Sequence, residues 1–340
     1  MQASGVALSK TVPMSPDSCP LTPVPCPLSP IHFTGVHAWN IPLVRALRRR
    51  GVPVIHTLHD LDPHHGVRYP ALIRLWNRLI IASGCHLLVH GRRYRDQLLA
   101  AGVAPERVTY TPLLHGFLGA ERTWPPERWN VPTCERANVP TCERANDVLF
   151  FGRVEAYKGV DTLLAAWAEA SGDLRVNSSN SWQATRLVIA GPVARDVTLP
   201  PLPPGVELRD RRIADGEAEA LFRSAAVLVL PYRDATQSAL VAAAYAFGVP
   251  VIVTDVGALS EYVVPGATGP DGTGPGATGW IAPAGDAGAL AAALREALAD
   301  PARLRRMGAA GRVWFAARRH EEQTALANMY ASLLAEPLLI

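Results

Sequence analysis

The sequence predicts an α/β protein with two domains, each built on a parallel sheet. Short apolar runs recur along the chain without polar alternation, which is typical of strands buried on both faces. Stretches with helical periodicity separate these runs, and Gly or Pro ends many of them. The chain has 340 residues, 49% of them hydrophobic, which is enough for two separate cores.

The clearest βα unit surrounds the sequence PYRDATQS. An apolar strand (226–230) precedes it, and an alanine-rich helix (238–247) and a second apolar strand (249–254) follow. Ser238 is a suitable N-cap for the helix and Gly248 a suitable end. The polar turn therefore joins the carboxyl end of a strand to the amino end of a helix, where open α/β sheets bind ligands and anions are favoured. An ordinary connecting turn is the alternative.

Composition shifts divide the chain into segments. Residues 130–137 and 138–145 are identical copies of NVPTCERA, and PGATG occurs at 265 and again at 275, both in sequence typical of loops. Duplications of this size cost little in a loop, so they indicate tolerant connections. The predicted segments are a disordered Pro-rich stretch (1–30), an amino-terminal Rossmann-like domain (31–120), a linker (121–146), a second Rossmann-like domain (147–316) and a carboxyl-terminal helix (317–340) packing back toward the first domain.

Charge and cysteine content exclude several classes of protein. The formal net charge of +3 does not indicate a nucleic-acid partner. The five cysteines lack metal-ligand spacing, which favours a reduced, cytoplasmic setting. No apolar run approaches the length of a membrane span, and residues 1–30 lack the pattern of a signal peptide. Neither a nucleophile elbow nor a P-loop motif is present.

Two cations follow the first strand of the second domain. Arg153 and Lys158 lie in the sequence GRVEAYKG, where the flanking glycines let the backbone approach a ligand closely. Placed opposite the helix start at Ser238, they would form an anion pocket of diphosphate size. Ordinary solvated charges are the alternative.

Histidines follow three strands of the first domain. His59-Asp60, His90 and His115 each stand at a predicted strand end, and these ends meet at one edge of a parallel sheet. Histidine at such an edge can bind a sugar hydroxyl or a phosphate. Each histidine alone is more often structural, and a zinc site is not favoured because no further ligand has the required spacing.

The motifs of the second domain resemble those of GT-B glycosyltransferases, in the large retaining family 4. The resemblance covers about residues 147–312 and rests on FGRVEAYKGVDTLL, LVIAGP, LFRSAAVLVLPY, AYAFGVPVIVTDVGALSEYV and ATGWIAPAGDAGALAAAL, in the family's order. In the first domain, TLHDLDPHHG, LLVHGRRYRDQLLAAGV and TPLLHG resemble the family less specifically.

This resemblance implies sugar transfer from a nucleotide-sugar to an acceptor, with retention of anomeric configuration. The donor would lie between two Rossmann-like domains, and no cofactor or metal is expected, because a basic pair and a helix start hold the diphosphate. The expected site comprises His59 as the catalytic residue; Arg153, Lys158, Thr236, Gln237 and Ser238 around the diphosphate; and Asp60, His90 and Asp234 as sugar or acceptor contacts.

The sequence departs from the family in two places. The family has two glutamates, one contacting the sugar and one the ribose, where this chain has Ala235 and Ala243. PYRDATQS resembles a branch with a polar turn there, in which Asp234 can substitute in part. The family's first strands and Gly-rich loop also have no counterpart before residue 31, so the amino-terminal domain is expected to be incomplete.

Three functions fit these observations. The leading one is a cytoplasmic retaining glycosyltransferase that builds a cell-surface polysaccharide or a glycolipid. The second is a degenerate, inactive protein that still binds nucleotide-sugar, and the third, which fits the Arg153 and Lys158 spacing less well, is a nucleotide-sugar epimerase. Peripheral membrane contact through the basic helix end Arg45–Arg50 is a further hypothesis, although a solvated helix end is preferred.

Overall fold

The structure, a computed structural model, describes residues 29–37, 39–61, 63, 69–114, 147–176, 185–265 and 276–335, with the side chains of 172–176 excepted. It has two parallel sheets flanked by helices, which confirms the predicted α/β class with two Rossmann-like domains. Residues 1–28 of the disordered stretch predicted over 1–30, the NVPTCERA copies, His115 and the loop 266–275 lie outside the described residues.

The amino-terminal sheet has the strand order β1-β2-β3-β4 in the described part of the chain, all parallel. Strands β2 and β3 are buried along their whole length, including the polar residues His56, Thr57 and His86. The elements are β1 (Ile31–Phe33), α1 (Asn40–Arg49), β2 (Val54–Thr57), α2 (Pro70–Ala82), β3 (His86–Val89), α3 (Arg92–Ala100) and β4 (Val108–Tyr110).

The carboxyl-terminal sheet has the order β10-β9-β8-β5-β6-β7 and is also parallel. Strand β8 is buried at all six residues and lies in the middle of this sheet. The elements are β5 (Asp147–Phe151), α4 (Val160–Val176), β6 (Leu187–Ala190), β7 (Val206–Arg209), α5 (Asp215–Ser224), β8 (Ala225–Leu230), α6 (Ala239–Ala246), β9 (Val251–Thr254), β10 (Gly279–Ala282) and α7 (Ala287–Ala299).

The last helix, α8 (Pro301–Ala335), joins the two domains. Near its start it packs along α6, and near its end Met329 and Leu333 form a small apolar cluster with Ile55 and Leu88 of the amino-terminal sheet. A hydrogen bond of 2.9 Å between Nδ1 of His32 and the Tyr330 hydroxyl adds to this contact. Helix α8 therefore ties the end of the chain to β1–β3.

The sequence predicts a short helix over 301–307 that is separate from the carboxyl-terminal helix (317–340), and this separation is wrong, because α8 is continuous. The intervening residues contain two glycines but no proline, so nothing prevents an unbroken helix. Gly308 lies against α6, where a Cβ atom would come within 2.0 Å of the Gly248 carbonyl oxygen. Close packing thus accounts for a residue that reads as a helix end in the sequence.

Across the described ranges, no helix is both long and apolar enough to cross a membrane.

Candidate functional site

A cavity of about 290 Å³ lies between the two domains, at the carboxyl ends of their strands. Asp60, just after β2, lines it from the amino-terminal domain. The remaining lining residues belong to the loops that follow β5 and β8 and to the start of α6: Gly152, Tyr157, Lys158, Tyr232, Ala235, Thr236, Gln237, Ser238 and Leu240. Five residues of the site expected from the sequence line this cavity, namely Asp60, Lys158, Thr236, Gln237 and Ser238, because parallel strands bring their carboxyl ends to one edge.

The turn between β8 and α6 forms one wall of the cavity. Ser238 has extended backbone angles, and its hydroxyl accepts a hydrogen bond of 3.3 Å from the Leu240 amide, so it is the N-cap of α6. This leaves the amino end of α6, with its partial positive charge, beside the cavity. Gly257 lets the loop after β9 pack under the turn, since a Cβ atom there would be 1.8 Å from the Ala235 carbonyl oxygen.

Lys158 supplies a second positive charge on the cavity wall. It ends a short 3-10 helix (Ala156–Lys158), and its side chain is only 13% exposed. The ammonium lies 5.7 Å and 6.0 Å from the ring centroids of Tyr157 and Tyr232. Burial lowers the pKa of Lys158, and the Glu155 carboxylate at 3.6 Å opposes that shift. The amine is therefore held among aromatic rings with one counterion.

Arg153 is placed differently from Lys158. Its side chain is 60% exposed, does not line the cavity, and has its Nε 3.6 Å from Glu155. Glu155 thus lies between the two cations expected to bind a diphosphate. In this arrangement Lys158 faces the cavity directly, whereas Arg153 would have to reorient to do so.

Two hydrogen bonds join the polar turn to the strand end after β2. The Thr236 hydroxyl, which is buried, donates to Asp60 Oδ1 at 2.7 Å. The Gln237 side-chain amide lies 3.4 Å from both the carbonyl oxygen and the Nδ1 of His59. The residues that the sequence assigns to the phosphate turn and to the sugar-side loop are therefore in direct contact across the interdomain cleft.

The hydrogen bonds of His59 define its tautomer. Its Nε2 lies 2.8 Å from the Thr34 carbonyl oxygen, which can only accept, so Nε2 carries the proton. Nδ1 then presents its lone pair to the Gln237 amide group. Both ring nitrogens are engaged in this state, and a ligand that bonds to His59 must displace Gln237 or Thr34.

The same contacts orient the Gln237 amide. Two acceptors of His59 face one end of it, so that end is the NH₂ group and Oε1 points the other way. Oε1 is buried and has no hydrogen-bond donor among the described residues. A buried amide oxygen without a donor is costly, and a ligand hydroxyl or amide would satisfy it once the Gln237 side chain shifts enough to expose Oε1 to the cavity.

The other expected contacts lie at the margin of the cavity or away from it. His90 is buried, with Nδ1 3.1 Å from the Thr111 carbonyl oxygen and its ring 5.6 Å from that of His59. Asp234 is half-buried and does not line the cavity. Ala235 is a buried lining residue, and Ala243 lies on α6 away from the lining, so a methyl group stands at each position where the family has a glutamate.

The two halves of the chain match two different family models. Residues 28–113 match "Glycosyl transferase 4-like domain", and residues 145–300 match "Glycosyl transferases group 1". The chain belongs to the GT-B glycosyltransferases of family 4 type. The predicted family is thereby confirmed, in both domains and in the expected order.

Two curated relatives in this glycosyltransferase family align with the chain over only part of their own length. The D-inositol 3-phosphate glycosyltransferase 1 of Catenulispora acidiphila is 28% identical over 301 residues, which is 79% of this chain and 64% of the relative. The D-inositol 3-phosphate glycosyltransferase of Kineococcus radiotolerans is 32% identical over 174 residues, 48% of this chain and 38% of the relative. The chain thus spans less than two thirds of the length of either relative.

Solved structures of glycosyltransferases share the fold. Sucrose-phosphate synthase from Thermosynechococcus elongatus aligns with a TM-score of 0.62 at 23% identity, over 90% of this chain and 74% of that one. Anabaena HepE in complex with UDP aligns with a TM-score of 0.63 at 15% identity, over 89% and 79%. At these identities the likeness establishes the GT-B architecture and nothing finer.

Several contacts of this glycosyltransferase-family chain were not foreseen from its sequence. The Glu261 carboxylate accepts hydrogen bonds from the amides of Arg92 and Arg93 at 2.6 Å and 3.0 Å, and so caps α3 from the other domain. The Tyr262 hydroxyl donates to the His90 carbonyl oxygen at 2.7 Å and accepts from the Leu113 amide at 2.7 Å. These partners are about 150–170 residues apart in sequence, and no spacing pattern relates them.

Tyr157 and Tyr232 were also missed as lining residues. Burial raises the pKa of both hydroxyls, that of Tyr232 to about 12, so both remain protonated near neutral pH. Each directly adjoins a residue that the sequence did single out, Lys158 and the polar turn. An aromatic residue beside a predicted cation was the available signal.

Proposed function

We propose that this chain transfers a sugar from a nucleotide-sugar to a hydroxyl acceptor, with retention of anomeric configuration. The observation that carries the proposal is the pairing of Lys158 with the amino end of α6 on the walls of one interdomain cavity. A buried ammonium and a helix start on the walls of one cavity favour an anionic ligand, and the diphosphate of a nucleotide-sugar is one that suits them. Family membership supports the same reaction class.

The donor diphosphate would lie between Lys158 and the turn Thr236–Ser238. Lys158 is the cation already directed at the cavity, and Arg153 would join it when a diphosphate competes with Glu155 for the Arg153 guanidinium. Backbone amides at the start of α6 would contact phosphate oxygens, as helix starts commonly do. The diphosphate charge is then matched by protein groups.

The transfer step follows the front-face course that the family resemblance implies. The bond between the anomeric carbon and the β-phosphate oxygen breaks, and a bond to the acceptor oxygen forms on the same face of the sugar. The acceptor proton passes to the departing phosphate oxygen. Lys158 and the α6 amides would stabilise the negative charge that develops on that phosphate, which lowers the barrier.

Within this proposal His59 and Gln237 face the sugar rather than the phosphates. Gln237 Oε1 lacks a donor, and His59 holds the amide in place, so a sugar hydroxyl is the group that best completes the network. The acceptor would approach from the amino-terminal domain, near Asp60. Saccharides and lipid-linked saccharides of a cell-surface polymer or glycolipid, made on the cytoplasmic side, are the proposed acceptors, and the relatives' names add inositol phosphate to the candidates.

The direct test is thermal stabilisation by UDP-, GDP-, ADP- and dTDP-sugars, followed by assay of nucleoside diphosphate release. Lys158→Ala should weaken donor binding by about 1.5–3 kcal/mol, as expected for a lost hydrogen bond to a charged group. Arg153→Ala should have a smaller effect because Arg153 is largely exposed. Arg212→Ala, an exposed change in the same domain, is the matched control. Unchanged donor affinity in Lys158→Ala would refute the site.

A second candidate function is nucleotide-sugar binding without turnover. The specific observation in its favour is Ala235, a methyl group lining the cavity at the position of the family's sugar-binding glutamate. This alternative gives donor stabilisation but no nucleoside diphosphate release with any acceptor. Ala235→Glu is the informative variant. Turnover by Ala235→Glu, with none by the parent, would favour the view that the parent binds nucleotide-sugar without transferring the sugar.

A further inference from the structure

The exposed apolar side chains of the described residues are concentrated on one part of the amino-terminal domain. Ile31, Val36, Trp39, Leu43, Tyr69, Leu72 and Leu75 are exposed there, against Leu202, Val264, Ile281, Val313 and Leu334 in the rest of the described chain. Five of the seven lie on or at the starts of α1 and α2, with exposed fractions of 71% for Trp39, 45% for Leu43, 61% for Tyr69, 63% for Leu72 and 52% for Leu75. Scattered exposed apolar residues are ordinary, whereas a cluster indicates an interaction surface.

Helices α1 and α2 present these residues on one surface. They follow adjacent parallel strands, pack against each other, and place their inner residues Val44, Trp76 and Ile80 in the core. The Arg48 guanidinium also donates to the Ser83 carbonyl oxygen, which ties the end of α1 to the end of α2. The solvent sides of the two helices therefore form a continuous face, here called the α1–α2 face, made of residues 39–50 and 69–83.

The α1–α2 face is basic as well as apolar. It contains six arginines, Arg45, Arg48, Arg49, Arg50, Arg74 and Arg78, and no aspartate or glutamate. All six are exposed. The chain as a whole is nearly balanced, with 33 basic and 30 acidic residues, so the absence of acidic residues over this face is a local feature.

The apolar residues of the α1–α2 face lie at the starts of the two helices, and three of its arginines lie at the end of α1. Trp39 and Tyr69 are the N-cap residues of α1 and α2, and Leu43, Leu72 and Leu75 lie in the first two turns. The arginines Arg48–Arg50 lie at the opposite end of α1. Because helix starts in a parallel α/β domain lie at the carboxyl edge of the sheet, the apolar residues are at the edge that also carries His59 and Asp60.

We propose that the α1–α2 face binds an anionic lipid bilayer. Trp39, Tyr69 and the three leucines would enter the headgroup and acyl boundary, where Trp and Tyr are favoured, and the arginines would contact anionic headgroups. This arrangement sets the cleft edge next to the bilayer. If the chain is the glycosyltransferase proposed above, on which this role rests, its acceptor is lipid-linked and is reached at the membrane surface.

The test is co-sedimentation of the full chain with vesicles of phosphatidylglycerol and phosphatidylcholine, or of phosphatidylcholine alone, at low and high salt. The expected result is binding to the anionic vesicles that high salt weakens, and little binding to phosphatidylcholine. Arg45→Gln/Arg74→Gln should reduce partitioning by about fivefold for each charge lost. Leu72→Ser/Leu75→Ser should reduce it at least about tenfold.

Matched variants distinguish vesicle binding by the α1–α2 face from non-specific binding by other exposed arginines and leucines. Arg212→Gln/Arg305→Gln removes two exposed arginines, and Leu202→Ser one exposed leucine, from the carboxyl-terminal domain, and both should bind vesicles as the parent does. No binding to anionic vesicles at low salt would overturn the proposal, as would equal losses in the control variants. A Leu72→Ser/Leu75→Ser variant that dissociates a dimer and leaves vesicle binding unchanged would also overturn it, by identifying a contact between copies.

The outcome is separable from that of the proposed activity. All these changes lie outside the cavity, so each variant should keep the parent's thermal stabilisation by nucleotide-sugars. Loss of vesicle binding with donor binding kept would establish the face. Vesicle binding without any donor binding would leave the face intact and refute the glycosyltransferase proposal.

Discussion

The side-chain amide of Gln237 meets His59 across the interdomain cleft, 3.4 Å from both its Nδ1 and its carbonyl oxygen. His59 in turn donates from Nε2 to the Thr34 carbonyl oxygen. The amide is therefore fixed with its NH₂ group toward the amino-terminal domain and its buried Oε1 free of any donor in the described part of the chain. Both ring nitrogens of His59 are therefore engaged, and a ligand can bond to His59 itself only if one of these contacts breaks.

This relationship predicts that Gln237→Ala weakens binding of the sugar part of the donor but not of the nucleotide part. Loss of one hydrogen bond from Oε1 to a sugar hydroxyl should cost about 1 kcal/mol. Affinity for the nucleotide-sugar should therefore fall about fivefold, while affinity for the free nucleoside diphosphate stays the same. Isothermal titration with both ligands makes the comparison.

Gln97→Ala provides a control, because Gln97 is an exposed glutamine on α3. His59→Gln should show the same ligand discrimination in weaker form, since it loosens the Gln237 amide without removing it. Equal losses for nucleotide-sugar and nucleoside diphosphate in Gln237→Ala would instead place Gln237 at the phosphates.

Lys158 should be open to selective chemical labelling. It is one of two lysines in the chain, the other being Lys10, and burial lowers its pKa. A lowered pKa means that, at any pH below the ordinary lysine pKa, a larger fraction of the Lys158 amine is unprotonated and reactive. Lys158 should therefore react with an amine-directed acylating reagent at lower pH than Lys10 does. Peptide mapping by mass spectrometry follows both residues in one sample.

A diphosphate ligand should protect Lys158 and not Lys10. The expected result is slower acylation of Lys158 in the presence of UDP or the preferred nucleotide-sugar, with labelling of Lys10 unchanged. Nucleoside without phosphate is the control ligand. Protection by nucleoside alone would mean that Lys158 lies near the base rather than the diphosphate.

Asp60 places a negative charge in the same cavity as Lys158. Its carboxylate accepts a hydrogen bond from Thr236 and lines the cavity, so it would repel the diphosphate of the proposed donor. Asp60→Asn keeps an acceptor for the hydroxyl and removes the charge. Affinity for free nucleoside diphosphate should then rise about two- to tenfold. A loss of turnover together with that gain would assign the charge of Asp60 to the sugar or acceptor step, whereas weaker nucleotide binding would contradict this account.

The fold and the polar turn before α6 were accessible from the sequence because local signals specify them. Apolar runs such as β8 give the strands, and Ser238 before an alanine-rich stretch gives the start of α6. Lys158 was also found, since glycines mark its loop. The positions of Lys158 and Ser238 on one cavity follow from parallel topology alone.

The different burial of the predicted site residues, and the contacts between the two domains, could not be predicted from the sequence. Lys158 and Arg153 read alike in the sequence, and only the fold shows one buried beside two tyrosines and the other largely exposed. The Glu261 cap on α3 joins residues about 170 apart, a relationship that no local pattern encodes. Packing between domains, rather than propensity, decides such contacts.

The Glu261 cap predicts a measurable contribution to domain packing. Glu261 accepts from two amides at the start of α3, and a lost N-cap costs about 1 kcal/mol. Glu261→Ala should lower the free energy of unfolding by about that amount, and Glu261→Gln by less because an acceptor oxygen remains. Urea unfolding followed by circular dichroism measures both. The exposed change Glu296→Ala, which removes an ion pair with Arg303 within the carboxyl-terminal domain, serves for comparison. Equal stability of Glu261→Ala and the parent would show that the cap does not hold in solution.

Two buried histidines should make the amino-terminal domain sensitive to acid. Burial lowers the pKa of both His56 and His86 to about 4 from an ordinary value of 6.5. Between those values the unfolded chain binds more protons than the folded one, so stability is highest above pH 6.5 and falls as the pH drops toward 4. Each histidine should cost about 2 kcal/mol between pH 7 and pH 5. His56 stacks on Phe33 and meets Trp76 edge-on, so His56→Phe keeps the aromatic contacts while removing the titrating group.

Unfolding free energies of the parent and the variant at pH 7 and pH 5 test this prediction. His320→Phe, at an exposed position on α8, is the control. The slope of stability against pH should be shallower in His56→Phe alone, and an identical slope in all three proteins would contradict a neutral, buried His56.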